Sequence, residues 1–398
     1  MKFNEFELSS EVLDAISYMG FEEATPIQEQ AIPAIISGKD LIACAQTGTG
    51  KTAAFILPVI DKIKDKELQG VNTLVIVPTR ELAQQIDQAI QGFTYFAGVT
   101  SICLYGGTDG SEWGQQKKAL TDGAHIVVAT PGKLIAHLDM GYVNFKQLEY
   151  LILDEADRML DMGFYDDIIK IMSHMPKKRQ TLMFSATMPP NIRQLAGKIL
   201  HDQVEINIAV SKPAEGVLQA AYLCYDAQKN KLIESLVADK PDYSSILIFC
   251  STKKKVADLG RALRTDKYLV KSISSDLEQK EREEVLLGFR ARKIRILVAT
   301  DVMSRGIDIK DIDLIINYDV PGDAEDYVHR VGRTARAKGS GVALTLVNPD
   351  DMPKLAGIER LIDSEILKLP VPPELGESPE WQTSQRRRFT GKKNYHRK

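Results

Sequence analysis

Residues 41–63 read LIACAQTGTGKTAAFILPVIDKI: a short apolar strand, a glycine turn and a helical pattern in direct succession. Strand, tight turn and helix in that order form the frame of a phosphate-binding loop at the edge of a parallel sheet. The loop spans Ala45, Gln46, Thr47, Gly48, Thr49, Gly50, Lys51 and Thr52, with Ala45 where the generic pattern has its first glycine. Gly48 and Gly50 allow backbone amides to curl around phosphate oxygens. Lys51 reaches the β and γ phosphates, and Thr52 offers a hydroxyl to magnesium, a cation that prefers oxygen ligands and calls for a carboxylate at a neighbouring strand end.

Outward from this loop, apolar runs alternate with amphipathic helical stretches, the pattern of repeated βα units around a parallel sheet. Strands are expected at Leu41 to Ala45, Thr73 to Val77, Ser101 to Tyr105, His125 to Ala129, Tyr150 to Leu153 and Thr181 to Phe184. A second set is expected at Gln219 to Cys224, Ser245 to Cys250, Leu269 to Ile273, Ile294 to Ala299, Leu314 to Asn317 and Val342 to Leu346. The echo between IVVAT at 126–130 and ILVAT at 296–300 suggests duplication. The expected fold is α/β, with two tandem domains over 1–208 and 217–369 joined by a hinge over 209–216, where Pro213 and Gly216 interrupt the pattern. Pro370, Pro372 and Pro373 are read as the stop of the last helix, and 370–398 as a disordered basic tail.

The 398 residues suffice for two cores, and 44% hydrophobic with 26% charged residues is ordinary for a globular protein. No apolar run approaches the roughly 18 residues of a membrane span. The first ten residues lack the basic and apolar regions of a signal peptide, so a cytoplasmic location is expected. Cys44, Cys103, Cys224 and Cys250 stand singly in apolar segments and read as buried thiols. Of the 51 Lys and Arg, seven fall in 381–398 where no acid does; the preceding chain carries 44 against 54 acids, a net of −10. The cationic end reads either as a solvating tail or as a nonspecific tether for a polyanion such as nucleic acid.

The run LEYLILDEAD places Asp154, Glu155 and Asp157 at the end of an apolar strand, where a parallel sheet exposes its carboxyl edge. Taken alone, such acids also suit a solvated helix start. With the phosphate loop upstream, Asp154 suits magnesium and Glu155 suits orienting or deprotonating an attacking water.

Together with SAT at 185–187 and HRVGRTAR at 329–336, this Asp-Glu-Ala-Asp string resembles the DEAD-box RNA helicases of superfamily 2, over Phe3 to about Leu369. The resemblance implies two RecA-like domains that close on ATP and single-stranded RNA, and an RNA-stimulated ATPase that separates short duplexes. It further implies that Gln28 reads adenine and Phe21 stacks on it. Asp308 would contact the ribose. His329, Arg333 and Arg336 would act at the γ-phosphate, the arginines as fingers worth roughly 10³ to 10⁵ in rate. RNA-backbone contacts would come from Arg80, Gly106, Gly107, Thr130, Pro131 and Gly132 in the first half. In the second half they would come from Thr252, Gln279, Arg282 and Thr300. Asp157, Ser185 and Thr187 would couple ATP state to strand separation.

The chain departs from the family pattern at Lys133, usually Arg, at Ser274, usually His, and at Ala335, usually Gly. Phe3 matches an upstream family aromatic and equally suits core packing. Two rival functions share these motifs: an ATP-gated RNA clamp without productive unwinding, and a DNA-directed translocase. A P-loop transporter or chaperone ATPase leaves the second-half motifs unexplained.

Overall fold

The computed structural model describes the chain except for residues 46–47, 67–69, 108–109, 209–216, 239, 241–242, 265–268, 275–276, 301–311, 335–340 and 383–398. The described residues divide into two compact units, one up to Ile208 and one from Val217. The expected hinge, 209–216, lies outside the described residues.

In the first unit seven strands form one parallel sheet: β1 Leu41–Cys44, β2 Thr73–Ile76, β3 Ser101–Leu104, β4 Ile126–Ala129, β5 Tyr150–Leu153, β6 Gln180–Ser185 and β7 Val204–Asn207. Their order is β3-β4-β2-β5-β6-β1-β7. The runs TLVI, IVVA and YLIL are buried at every position. A sheet covered on both faces by helices demands such continuous apolar runs. Alternate residues serve opposite cores: Val75 and Ile152 pack on one face, while Leu74, Leu151 and Leu153 pack on the other.

The second unit repeats the plan with β8 Leu218–Leu223, β9 Ile246–Phe249, β10 Val270–Ile273, β11 Ile296–Ala299, β12 Leu314–Asn317, β13 Val342–Val347 and β14 Leu367–Pro370. Its order, β10-β11-β9-β12-β13-β8-β14, matches the first sheet place for place, again with every pairing parallel. The echoing strands β4 and β11 hold the same second place, so the sequence repeat is a repeat in space.

Two edge strands, β7 and β14, escape the sequence pattern. β7 (VEIN) is buried only at Ile206, and β14 (LKLP) exposes both ends. Pro370 is tolerated there because an edge strand leaves one side of its backbone unpaired. The last helix does not run to the prolines. It spans Met352–Ile362 and ends on Asp363 in the left-handed region. Nor does structure stop at 370. Val371 is buried and donates to Ser378 Oγ at 2.7 Å, and Gln228 Nε2 donates to the carbonyls of Leu375 and Glu377 at 2.8 and 3.0 Å. The remaining basic residues, from 383, lie outside the described residues. Cys224 and Cys250 are buried as expected, whereas Cys44 and Cys103 are only half-buried; all four are free thiols.

Candidate nucleotide and RNA sites

A parallel sheet gathers its functional loops at one edge, because every strand ends there. In the first unit β1, β5 and β6 are adjacent, so the turns after them bring together the phosphate loop, the acidic string and the SAT sequence. The turns after β2, β4 and β3 gather Arg80, Thr130 and the Gly106–Gly107 pair at the other half of the same edge.

Gly48 and Gly50 have φ of +89° and +92°, the left-handed region that glycine enters freely. Gly50 leads directly into helix Lys51–Ile63. Lys51 is buried, and among the described residues its Nζ finds no hydrogen-bond acceptor. The nearest carboxylate is Asp154, whose Oδ1 lies 3.7 Å away. An unsatisfied buried ammonium costs several kcal/mol unless something anionic completes it, and a phosphate does so. Burial pushes the Asp154 carboxyl up, with Lys51 pulling against it. Ala45 donates its N–H to the Ser185 carbonyl at 2.9 Å, tying the start of the loop to β6. Gln46 and Thr47 lie outside the described residues, and Thr49 and Thr52 are half-buried.

Oxygen donors suit a magnesium ion here. Thr52 supplies a hydroxyl one residue after Lys51, and Asp154 supplies a buried carboxylate. Among the described residues no group of three or more His, Cys, Asp or Glu forms a metal cluster.

Glu155 adopts φ +51°, ψ +50°, a strained conformation for a non-glycine residue. Its Oε2 accepts from Arg158 Nη1 at 3.2 Å, and both side chains are buried. Asp157 turns away to β6: its N–H donates to Ser185 Oγ at 3.3 Å, and its Oδ2 accepts from the Thr187 N–H and hydroxyl at 2.9 and 3.0 Å. The three carboxylates thus diverge, to Lys51, to Arg158 and to Thr187.

Gln28 is not the exposed helix residue that its surroundings in sequence suggest. It is 1% exposed. Its Oε1 accepts from the Thr25 N–H at 2.9 Å, capping helix Pro26–Ile36, and its Nε2 donates to the Gly50 carbonyl at 3.1 Å. One amide N–H and one oxygen lone pair remain for a base edge. Phe21 is 37% exposed, with its ring held against Phe3 and Phe93. Phe3 itself is buried and serves the core.

Toward the other half of the edge, Arg80 Nη1 donates to the Gly106 carbonyl at 3.3 Å, and its guanidinium lies 4.3 Å from the Tyr105 ring centroid. Gly107 has φ +80°, and a Cβ there would sit 3.2 Å from Arg80 Nη1. Thr130 precedes helix Pro131–Asp139, with Pro131 and Gly132 in its first turn. Lys133 Nζ rests 4.3 Å from the Trp113 ring centroid. Trp113 also stacks on His137 at 4.0 Å, and His137 Nε2 faces Gln116 Oε1 at 3.1 Å.

In the second unit, Thr252 caps helix Lys253–Ala262, its Oγ1 accepting from the Lys255 N–H at 3.2 Å. Gln279 opens helix Gln279–Arg290, where Arg282 is half-buried, and Thr300 follows β11. His329 lies in helix Ala324–Val331 and Arg333 in the following turn, both half-buried. Asp308 and Arg336 lie outside the described residues.

Sequence reasoning missed Arg158, whose three-residue spacing from Glu155 was the available signal. It also missed Arg330, which is turned inward to donate to Asn317 Oδ1 at 2.9 Å and the Asp319 carbonyl at 3.1 Å. No local pattern separates Arg330 from its neighbour His329.

Comparison with known proteins gives a consistent answer. The family profile described as "DEAD/DEAH box helicase" matches residues 25–195, and that described as "Helicase conserved C-terminal domain" matches 228–338. The chain is 42% identical to the ATP-dependent RNA helicase CshA of Listeria monocytogenes, over 93% of this chain and 71% of that protein. It is 41% identical to the DEAD-box ATP-dependent RNA helicase CshA of Geobacillus kaustophilus, over 96% and 80%. Among solved structures, S. cerevisiae Dbp5 bound to RNA and ADP BeF3 is similar with TM-score 0.81 and 30% identity, over 93% of this chain and 95% of that one. Mss116p bound to ssRNA and AMP-PNP is similar with TM-score 0.82 and 27% identity, over 94% and 80%. No described helix is long and apolar enough to cross a membrane.

Proposed function

This chain belongs to the DEAD-box family of ATP-dependent RNA helicases, and we propose that it hydrolyses ATP in the first unit to drive cycles of closure on RNA that locally separate short duplexes. The observation that carries the site assignment is the buried Lys51 ammonium, 3.7 Å from Asp154 and without a hydrogen-bond acceptor among the described residues. A phosphate group supplies the missing acceptor.

In this reading Lys51 and the amides around Gly48 and Gly50 bind the phosphates. Gln28 and Phe21 hold the adenine, the first through its free amide edge and the second through its exposed ring. Thr52 and Asp154 would hold the magnesium ion, which when bound supplies positive charge to phosphate oxygens. Glu155 orients the attacking water and accepts its proton, with Arg158 fixing the carboxylate. His329, Arg333 and Arg336 come to the γ-phosphate on closure. The family resemblance supports that step, and the guanidinium charge on the transferring group explains how closure switches hydrolysis on.

RNA binds through its backbone, at Arg80, Gly106, Gly107, Thr130, Pro131 and Gly132 in the first unit and Thr252, Gln279, Arg282 and Thr300 in the second. Hydroxyls, glycine amides and cations grip phosphate and ribose without reading bases, so binding is sequence-independent.

The test is separation of a short RNA duplex by the full chain, with excess unlabelled strand present as a trap, in ATP and without nucleotide. ATP-dependent separation faster than spontaneous dissociation is expected. Tight ATP-dependent RNA binding with separation no faster than spontaneous would replace the helicase by a clamp.

A further inference from the structure

The repeat between the two sheets extends to their loops. β2 and β9 hold the same place, and each leads through two residues to a threonine that caps the next helix: Thr79 Oγ1 accepts from the Leu82 N–H and Thr252 Oγ1 from the Lys255 N–H. β1 and β8 hold one place, β5 and β12 another, and in both units a buried Lys–Asp pair joins the helix that follows the first of these strands to the turn that follows the second. In the first it is Lys51 and Asp154 at 3.7 Å; in the second it is Lys229 and Asp319 at 3.6 Å, with Asp319 one residue further past its strand. Lys229 is fully buried and also meets Asp226 at 3.0 Å.

The two pairs are used differently. In the first unit the residue before the capping threonine is Pro78, which has no N–H to donate to Asp154. In the second unit that residue is Ser251, and its N–H donates to Asp319 Oδ2 at 2.8 Å. Lys255, one turn into the helix that Thr252 caps, donates to Asp319 Oδ1 at 2.6 Å. Asp319 therefore grips both sides of Thr252, before it through Ser251 and after it through Lys255, while the buried Lys229 ammonium lies 3.6 Å from its Oδ1. Burial raises the Asp319 carboxyl, but Lys255 and the Ser251 N–H outweigh that and leave it lowered and ionised.

We infer that Asp319, braced by Lys229 and Lys255, is the positioning residue that sets the Ser251–Thr252 turn for RNA-backbone binding, using in the second unit the strand-end Lys–Asp pair that serves nucleotide in the first. This inference rests on the reading of Thr252 as an RNA contact.

The test measures ATP hydrolysis by the full chain against the concentration of single-stranded poly(U) for Asp319→Asn, Thr252→Ala, the double variant and Lys255→Gln. Asp319→Asn is expected to raise half-saturating RNA about tenfold, with the rate at saturating RNA within about twofold, since a charge-assisted grip on the turn is lost and the chemical step is not touched. The double variant is expected to be no weaker than the worse single variant, because both act on one turn. Lys255→Gln is expected to shift RNA in the same direction by about threefold, and its half-exposed site keeps the test available should Asp319→Asn fail to fold around Lys229. Unchanged half-saturation in both Asp319→Asn and Lys255→Gln, or effects that multiply in the double variant, would overturn the inference. If Thr252→Ala alone leaves RNA dependence unchanged, the RNA reading of this turn falls, and the positioning role with it.

Discussion

Asp157 Oδ2 accepts two hydrogen bonds from one residue, the Thr187 N–H at 2.9 Å and the Thr187 hydroxyl at 3.0 Å, joining the start of helix Ala156–Asp161 to the loop after β6. The acidic string and the SAT sequence are therefore tied together by side-chain as well as backbone groups. Thr187→Val keeps the shape and the backbone bond but removes the hydroxyl, at a cost of about 1–3 kcal/mol for a bond to a charged group. Under the proposed coupling role, ATP hydrolysis by this variant stays within about threefold of the parent while duplex separation falls by more than that. Equal losses in both would place Thr187 in catalysis instead.

Gly50 illustrates how little room the phosphate loop leaves. A Cβ there would sit 2.5 Å from Gln28 Nε2, at a φ of +92° that alanine resists. Gly50→Ala is expected to weaken ATP binding by at least about a hundredfold, the combined effect of backbone strain and the displaced carboxamide. Gln28→Ala opens the contact but removes the cap of helix Pro26–Ile36, so about 1 kcal/mol of stability is lost along with ATP affinity. Fluorescent-nucleotide titration and urea unfolding separate the two effects. Gly50→Ala binding ATP like the parent would refute the tight coupling of these residues.

His137 is fully buried between Gln116, Tyr142 and the Trp113 ring, and burial, reinforced by Lys133, pushes it down to about 4. A histidine lowered in the folded state stabilises the fold above its unfolded value of 6.5, and that contribution is lost as pH falls toward 4. The loss totals roughly 3 kcal/mol. In a Trp381→Phe background, Trp113 fluorescence is expected to change with a midpoint near pH 4. A midpoint at the ordinary histidine value would show that the stack does not exclude the imidazolium.

The seven cations in 381–398 bear on salt dependence. If they tether RNA, removal of residues 383–398 flattens the slope of log affinity against log salt for single-stranded RNA by up to about 5, at about 0.7 per phosphate contact. An unchanged slope would leave them as a solvating tail.

Much of this was legible because a parallel sheet writes itself in continuous apolar runs: TLVI, YLIL and ILIF sit where their sequences place them. The phosphate loop and acidic string were equally plain, since their chemistry is carried by short contiguous spans. What stayed hidden depends on distant partners. β7 and β14 are edge strands with one covered side and carry no strong pattern. Gln28 looks like a surface residue until Gly50, 22 residues away, closes on it. Asp319 and Ser251 are 68 residues apart and meet only because β9 and β12 are neighbours in the sheet.

Under the proposed function the Lys51–Asp154–Glu155 site hydrolyses ATP under the control of RNA. Its most direct test is steady-state ATP hydrolysis by the full chain alone, with single-stranded RNA and with DNA of matched sequence, beside Glu155→Gln. Stimulation by RNA and not by DNA is expected, with a loss of roughly 10²- to 10⁴-fold in Glu155→Gln while ATP still binds. Equal stimulation by DNA, or full activity in Glu155→Gln, would contradict it.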